Sequence, residues 1–401
     1  MNINNTIKEK YYVLAAGVIS LVVLLGVARF SYTPLLPIMQ NQTFLNDLSA
    51  GWLAAINYAG YMCGAFIAAS VSNLMLKDTL YRAGLIVAIV TTIGMGVTEN
   101  MAVWAVMRFF AGLSSAAGLL IGSGLVLNWL MRNNHRPELG IHFMGVGLGI
   151  VLTAVSVDMM VDHYDWREQW IILGSAAVIL VIPAWRWLPR PHNGTVTTTG
   201  KTLQDTPPSR RFIWLMMSCY FCAGFGYVIG ATFTVAIVER VATLQGMGQQ
   251  VWLVLGLTAI PAVLIWEQVA RKTGTLYALL LCYIIHIVGI VIPIFYQSLV
   301  GVMISAVLYG GTFIGIVSLV LSMAGRFYPT KPAKLMGKLT LSYGVAQIIA
   351  PALAGMMAEK SEHYNGALIM AAAMMFLGTL LLILLITTEN KNIRDYTNPH
   401  K

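Results

Sequence analysis

Apolar residues dominate this chain in long uninterrupted runs, and its polar positions gather in short clusters between them. A helix of about 20 apolar residues crosses the roughly 30 Å hydrocarbon layer of a bilayer. Runs of that length recur at 12–39, 49–72, 79–98, 101–131, 137–160, 168–188, 212–238, 249–270, 274–295, 298–326, 333–358 and 364–388. Each is predicted to be helical, because an open strand in hydrocarbon leaves backbone N–H and C=O groups unpaired. The pattern predicts an all-α membrane protein with twelve transmembrane helices.

Composition changes little in that picture. Of 401 residues, 58% are hydrophobic and 10% are charged, too little charge to cover a soluble surface. The first run is too long for a cleaved signal peptide and lacks a small-residue cleavage site, so it is read as a retained span. A net charge of +9 would suggest nucleic acid in a soluble chain, but its distribution gives another reason for it. With both termini cytoplasmic, only Arg167, Arg240 and Lys360 fall in outer loops, and Arg29 and Arg108 fall inside spans. Every other member of the 25 Lys and Arg lies in an inner loop or tail. That asymmetry is the positive-inside pattern expected of a bacterial inner-membrane protein, and it requires no nucleic-acid partner.

The longest polar interruption, "PRPHNGTVTTTGKTLQDTPPSRR" from Pro189 to Arg211, reads as a flexible cytoplasmic linker. It divides the chain into two six-helix halves, 1–188 and 212–401. The halves are weakly similar: "GVARFSYTP" from Gly26 aligns with "GFGYVIGAT" from Gly224, placing Tyr227 opposite Arg29. "RFFAG" from Arg108 aligns with "VLYGG" from Val307, which puts a valine opposite the arginine. Internal repeats of this kind are expected of secondary transporters, whose sites lie near the bilayer midplane at the repeat interface.

Few side chains inside the runs carry chemistry. Cys63, Cys219, Cys222 and Cys282 all lie in apolar stretches, and the Cys219-x-x-Cys222 pair has no second pair or histidine cluster beside it. Helix packing is the expected role, so no metal site or cofactor is predicted. No H-E-x-x-H, paired intramembrane aspartate or Ser/His arrangement marks an enzyme. Arg29 and Arg108 stand apart. An arginine at the centre of a membrane helix costs about 2.5–3.5 kcal/mol on insertion scales, so it faces a cavity or a partner. Two readings are open: a clamp on carbonyls freed by a broken helix, or the wall of a transport cavity. At about 1.5 Å per residue, Arg29 lies roughly 16 Å from Gln40 and Arg108 roughly 12 Å from Asn100, so both sit at comparable depth. The nearest acid in that half is Asp158, near the outer end of its span, and two such guanidiniums favour an anionic group.

Gly26, Arg29, Tyr32 and Thr33 are expected on one face of the first span, and Arg108, Gly112 and Ser115 on one face of the fourth. In the second half Tyr220, Tyr227 and Thr234 align, and Tyr343 lies one turn from Gln347. Gly145 and Gly149 form a G-x-x-x-G suited to close helix approach, and Pro34, Pro37 and Pro351 are expected to kink their helices. Coupling requires a group that titrates, which arginine does not. Asp158, Glu267, His142 and His286 are the candidates; Glu267 sits four residues from Arg271, where an ion pair is the default.

At these residues the chain resembles the major facilitator superfamily. "RFFAGLSSA" from Arg108 is similar to its R-x-x-x-G-x-x-x-A signature, and "DWREQW" from Asp165 to its outer W-R element. "GVARFSYTPLLPIM", "GVGLGI", "GFGYVIGATF", "GGTFIGI" and "AQIIAPALAG" together resemble the YbfB/YjiJ-type branch. "SNLMLKDTLYRAG" keeps Lys77, Asp78 and Arg82 without the superfamily's usual loop spacing, and the fifth span lacks a Gly-Pro. The resemblance implies the major-facilitator fold and a cavity built from the first, fourth, seventh and tenth spans. Arg29, Tyr32, Thr33, Arg108, Ser115, Tyr227, Tyr343 and Gln347 are then the expected substrate-binding residues. The expected protein is a monomeric, proton-coupled secondary transporter of a small organic, anionic or amphipathic solute. Export is expected, with uptake of an organic acid or amino-acid-like compound as the alternative.

The loop asymmetry generates a topology test. A reporter active only in the cytoplasm, fused after Lys401, gives signal if both termini are inside; an expressed but silent fusion reverses the assignment.

Overall fold

The computed structural model of this chain describes residues 3–133, 135, 139–191, 206–327 and 333–389. Its elements are helical. The first rod is α1 (Ile3–Leu21), a π-helical segment (Val22–Phe30) and α2 (Tyr32–Gln42). Then come α3 (Asp47–Ser70), α4 (Leu74–Met95), α5 (Met101–Ala116), a second π segment (Ala117–Gly122), α6 (Ser123–Arg132), α7 (Leu139–Met160) and α8 (Trp166–Arg186). After the linker follow α9 (Arg210–Glu239), α10 (Gly248–Thr273), α11 (Thr275–Phe295), α12 (Leu299–Phe327), α13 (Ala333–Ser361) and α14 (Asn365–Glu389). Residues 192–205 of the expected linker, and everything beyond Glu389, lie outside the described residues.

Among the described residues, 11 helices are long and apolar enough to cross a membrane. The expected third span, α4, is a 22-residue helix that is not among them; its first turns carry Lys77, Asp78 and Arg82. Two of those charges, Asp78 and Arg82, are paired. Arg82 pairs with Asp78 at 2.9 Å and donates to the carbonyls of Trp185 (2.6 Å) and Leu188 (3.1 Å). The last carbonyls of a helix have no intrahelical donor, so this guanidinium satisfies the end of α8.

Local sequence sets the boundaries. Asn73 and Asn100 accept from the first free N–H groups of α4 and α5, and Asp165 with Glu168 forms a reciprocal capping box at α8. Gly274 alone joins α10 to α11 with φ 92°, a conformation a Cβ would strain. The proline-bearing first span stays continuous, with Lys8–Gln42 forming one helical stretch of 35 residues. Its disturbance takes another form. Ser31 N–H bonds to the Gly26 carbonyl five residues back at 3.0 Å, just before Pro34, whose missing N–H removes the regular bond to Phe30. A wider turn shifts the register, so the face expected from 3.6-residue spacing is not kept through this stretch.

Contacts divide the chain into two compact units: Met1–Phe44 with Ile56–Thr202, and Leu45–Ala55 with Leu203–Lys401. Within the first, helices meet through glycine. A Cβ on Gly149 would lie 2.7 Å from Gly26 Cα, and one on Gly145 would lie 2.5 Å from the Val18 carbonyl oxygen. Gly112 presses against the Asn57 and Tyr61 backbone, and Gly60 against Phe109. Within the second, the start of α3 is held by Asp47, which pairs with Arg240 at 2.5 Å and accepts from Tyr364 Oη at 2.9 Å.

These contacts predict unequal tolerance. Gly112→Val should lower folded yield and melting temperature strongly, because overpacking backbone against backbone costs about 1–3 kcal/mol or more. Gly124→Ala, with nothing within 4 Å of the added carbon, should melt at or slightly above wild type. Size-exclusion yield and thermal melting of both variants read the difference.

Candidate functional site

In the first unit the two membrane arginines share one aromatic cage. Arg29 lies in the π segment and is 5% exposed; Arg108, on α5, is 3% exposed. The Arg29 guanidinium carbon is 4.2 Å from the Tyr58 ring centroid and 5.1 Å from that of Tyr61. That of Arg108 is 4.3 Å from the Tyr32 centroid, and its Nη1 donates to the Arg29 carbonyl at 3.5 Å. A desolvated cation over a ring gains about 2 kcal/mol, which offsets part of the burial cost. Arg108 thus reaches a carbonyl of the π segment, and both charges meet ring faces.

Ser115 is buried, but its hydroxyl is committed, donating to the carbonyls of Leu24 (2.8 Å) and Ala111 (2.9 Å). It fastens α5 to the π segment. Thr33 is buried beside Tyr32 on α2. Three contributors come from α3 and were not read from sequence: Asn57, Tyr58 and Tyr61. Asn57 Nδ2 donates to the Arg108 carbonyl at 2.7 Å. The available signal was a lone asparagine followed by tyrosines at i+1 and i+4 inside an apolar run.

The second unit holds a different arrangement, a run of stacked rings. Tyr220 stacks on Tyr343 at 4.3 Å, Tyr343 on Tyr227 at 5.8 Å, Tyr227 on Phe313 at 5.4 Å and Phe313 on Tyr309 at 6.0 Å. Tyr227 and Tyr343, expected from different helices, therefore meet. Gln347 is buried one turn beyond Tyr343. The run ends at His286, 4.6 Å from Tyr309, whose Nδ1 shares a hydrogen bond with Thr312 Oγ1 at 2.7 Å. Tyr309 is built into α9: its hydroxyl accepts from Ala231 N–H at 3.0 Å and donates to the Tyr227 carbonyl. Its ring packs on Gly230, where an added Cβ would lie 2.5 Å away. Gly226, Gly230, Thr234, Gly289, Ser305 and Tyr309 border a small cavity there.

The titratable candidates scatter. His286 is fully buried. His142 is fully buried in the first unit, with Nε2 sharing a 2.8 Å bond with Ser123 Oγ. Glu267 is half-buried, 3.9 Å from Arg271, in the pairing its spacing gives by default. Asp158 is exposed near the end of α7. Cys219 and Cys222 are buried on α9, where Cys222 meets Gly378 and Tyr283 Oη donates to the Cys219 carbonyl at 2.9 Å. They pack helices.

Apolar helices of this length that bury fixed charge and polar rings define a multi-pass membrane protein. Residues 21–383 match the family described as "Uncharacterised MFS-type transporter YbfB", and the chain belongs to this family of the major facilitator superfamily. It is 24% identical over 163 residues to the MFS-type transporter YceJ of Bacillus subtilis, covering 41% of this chain and 42% of that one. It is 22% identical over 259 residues to the efflux pump radE of Floropilus chiversii, covering 57% and 48%. The match thus spans less than half the length of either relative. The fold resembles the nucleoside transporter NupG (a mutant form) with a TM-score of 0.70 at 12% identity, covering 94% of this chain and 99% of that one. A bacterial homologue of the human lysosomal transporter Spinster, inward-facing and occupied, gives 0.65 at 13% identity, covering 97% and 98%.

The Tyr309 contact is testable without a substrate. Tyr309→Phe removes the hydroxyl and with it the bonds to Ala231 N–H and the Tyr227 carbonyl, at roughly 1–3 kcal/mol for the pair. Melting temperature should fall by several degrees, and deuterium uptake should rise around Ala231. Unchanged exchange there would show that α9 closes its own ladder.

Proposed function

We propose that this chain is a twelve-span secondary transporter of the bacterial inner membrane that moves a small organic anion by alternating access. Proton-driven export is the direction proposed. The observation that carries the reading is the cage of the first unit, where Arg29 and Arg108 are buried against Tyr32, Tyr58 and Tyr61. Permanent positive charge in a low-dielectric wall attracts an anion, and the rings favour an apolar or aromatic body. Tyr227, Tyr343 and Gln347 of the second unit supply an uncharged aromatic surface, which suits amphipathic solutes. Likeness to an efflux pump supports export. Uptake through the same residues is the second reading, favoured by the strong polarity of the cage.

Arginine keeps its charge at every physiological pH, so the proton is assigned to another group. His286 is the proposed carrier, because it is buried and hydrogen-bonded to Thr312 beside the α9 contact. Glu267 and Asp158 are the alternatives.

Ligand-induced thermal shift against a panel of organic anions, with Arg29 variants, tests the site. Arg29→Lys keeps the charge but loses the planar fork, so anion affinity should drop; Arg29→Gln should lose about tenfold or more while melting near wild type. Lower yield and melting temperature with affinity retained would make the arginine a clamp. Coupling is read in proteoliposomes, where His286→Gln should abolish gradient-driven accumulation yet leave counterflow. If Glu267→Gln or Asp158→Asn does so instead, the carrier is reassigned.

A further inference from the structure

Beside the cationic cage, three buried polar atoms make no hydrogen bond among the described residues: Arg108 Nε, Ser31 Oγ and Asn57 Oδ1. Their residues are 3%, 0% and 0% exposed. Unmade bonds at such depth are rare in native proteins and ask for an explanation.

The three belong to one neighbourhood. Asn57 Nδ2 donates to the Arg108 carbonyl at 2.7 Å, and Gly112, one turn on, packs against the Asn57 backbone. Arg108 Nη1 reaches the Arg29 carbonyl, two residues before Ser31, and its guanidinium lies over Tyr32, the residue after Ser31. The Asn57 amide cannot be reversed, because a carbonyl oxygen only accepts and so requires the nitrogen to face it. Oδ1 is therefore an acceptor in want of a donor. Arg108 Nε–H is a donor in want of an acceptor, and the Ser31 hydroxyl serves as either.

That inventory discriminates among anions. A halide, or a carboxylate with a bare hydrocarbon tail, satisfies the two donors and leaves Asn57 Oδ1 desolvated and unpaired. A carboxylate with a hydroxyl or amino group on the adjacent carbon satisfies all three. We propose that Arg108, Ser31 and Asn57 form a subsite for 2-hydroxy and 2-amino carboxylates. The carboxylate accepts from Arg108 Nε–H and Ser31 O–H, and the 2-substituent donates to Asn57 Oδ1. The inference rests on the reading of the first unit as the substrate site. Asn57 then sets specificity, and the Tyr32 and Tyr58 rings hold the hydrocarbon body.

Matched acids test it on the purified full-length chain by isothermal titration. The pairs are 3-phenyllactate with 3-phenylpropionate, and 2-hydroxyisocaproate with 4-methylpentanoate; phenylalanine joins the first pair as the amino form. In each set the 2-substituted acid should bind about tenfold or more tightly, because a site built for a donor rejects the analogue lacking it. Asn57→Ala should erase that preference, giving the two members of each pair equal affinity, while Ser31→Ala and Arg108→Gln should weaken both members. The wild-type comparison needs no variant, so misfolding of Asn57→Ala does not rescue the idea. Equal binding within the pairs, or a preference that survives Asn57→Ala, overturns the subsite. The anion site still stands in that case if Arg29→Gln and Arg108→Gln lose the unsubstituted acids. If no acid of either kind binds at millimolar concentration, the subsite and the anion reading fall together.

Discussion

Hydrocarbon supplies no hydrogen bonds, so every polar group that enters a membrane must bring its partner with it. The polar architecture of this protein can be read as a set of answers to that constraint. Backbone groups are paired inside helices, and the helices touch where glycine lets backbones approach, as at Gly26 with Gly149. Where the ladder slips, side chains take over: Ser115 bonds the Leu24 carbonyl inside the π segment, and Arg82 bonds the carbonyls ending α8. Where a guanidinium is carried inward, tyrosine faces meet it.

The two halves solve the problem with different chemistry at related positions. Where the first places Arg29, the aligned position of the second is Tyr227, stacked between Tyr343 and Phe313. Where the first places Arg108, the second has Val307 and hands the polar task to Tyr309, two residues on, whose hydroxyl enters α9. Within the first unit the buried polar groups gather on fixed charge, and within the second on stacked rings.

Much of this was legible in sequence, and the limits have physical causes. Run lengths gave the long apolar helices because bilayer thickness sets a single scale; 11 of the described helices reach it, and α4, with Lys77, Asp78 and Arg82 in its first turns, is not among them. Arg29 and Arg108 stood out because charge in an apolar run is costly whatever its surroundings. The tyrosines of α3 did not, since a tyrosine in a membrane helix is common and its value here comes from tertiary contact with Arg29. The π turn was hidden as well: Pro34 announces a lost hydrogen bond, but whether the helix bends or slips depends on what catches the freed carbonyls. Ser115, distant in sequence, bonds the Leu24 carbonyl within the same π segment.

A permanent charge also constrains how such a site cycles. A titrating group can be neutralised before it is enclosed; an arginine has to be compensated by contacts each time water leaves. In this structure the cage is closed with ring faces against both guanidiniums, and a ring face returns only part of what hydration gave. On the proposed function a bound carboxylate compensates more fully, because it adds charge-assisted hydrogen bonds to the same cations. Closure over an occupied cage is then easier than closure over an empty one, and the difference between the two is the free energy by which occupancy biases the cycle. On that proposal the buried arginine couples binding to closure, because its charge cannot be switched off.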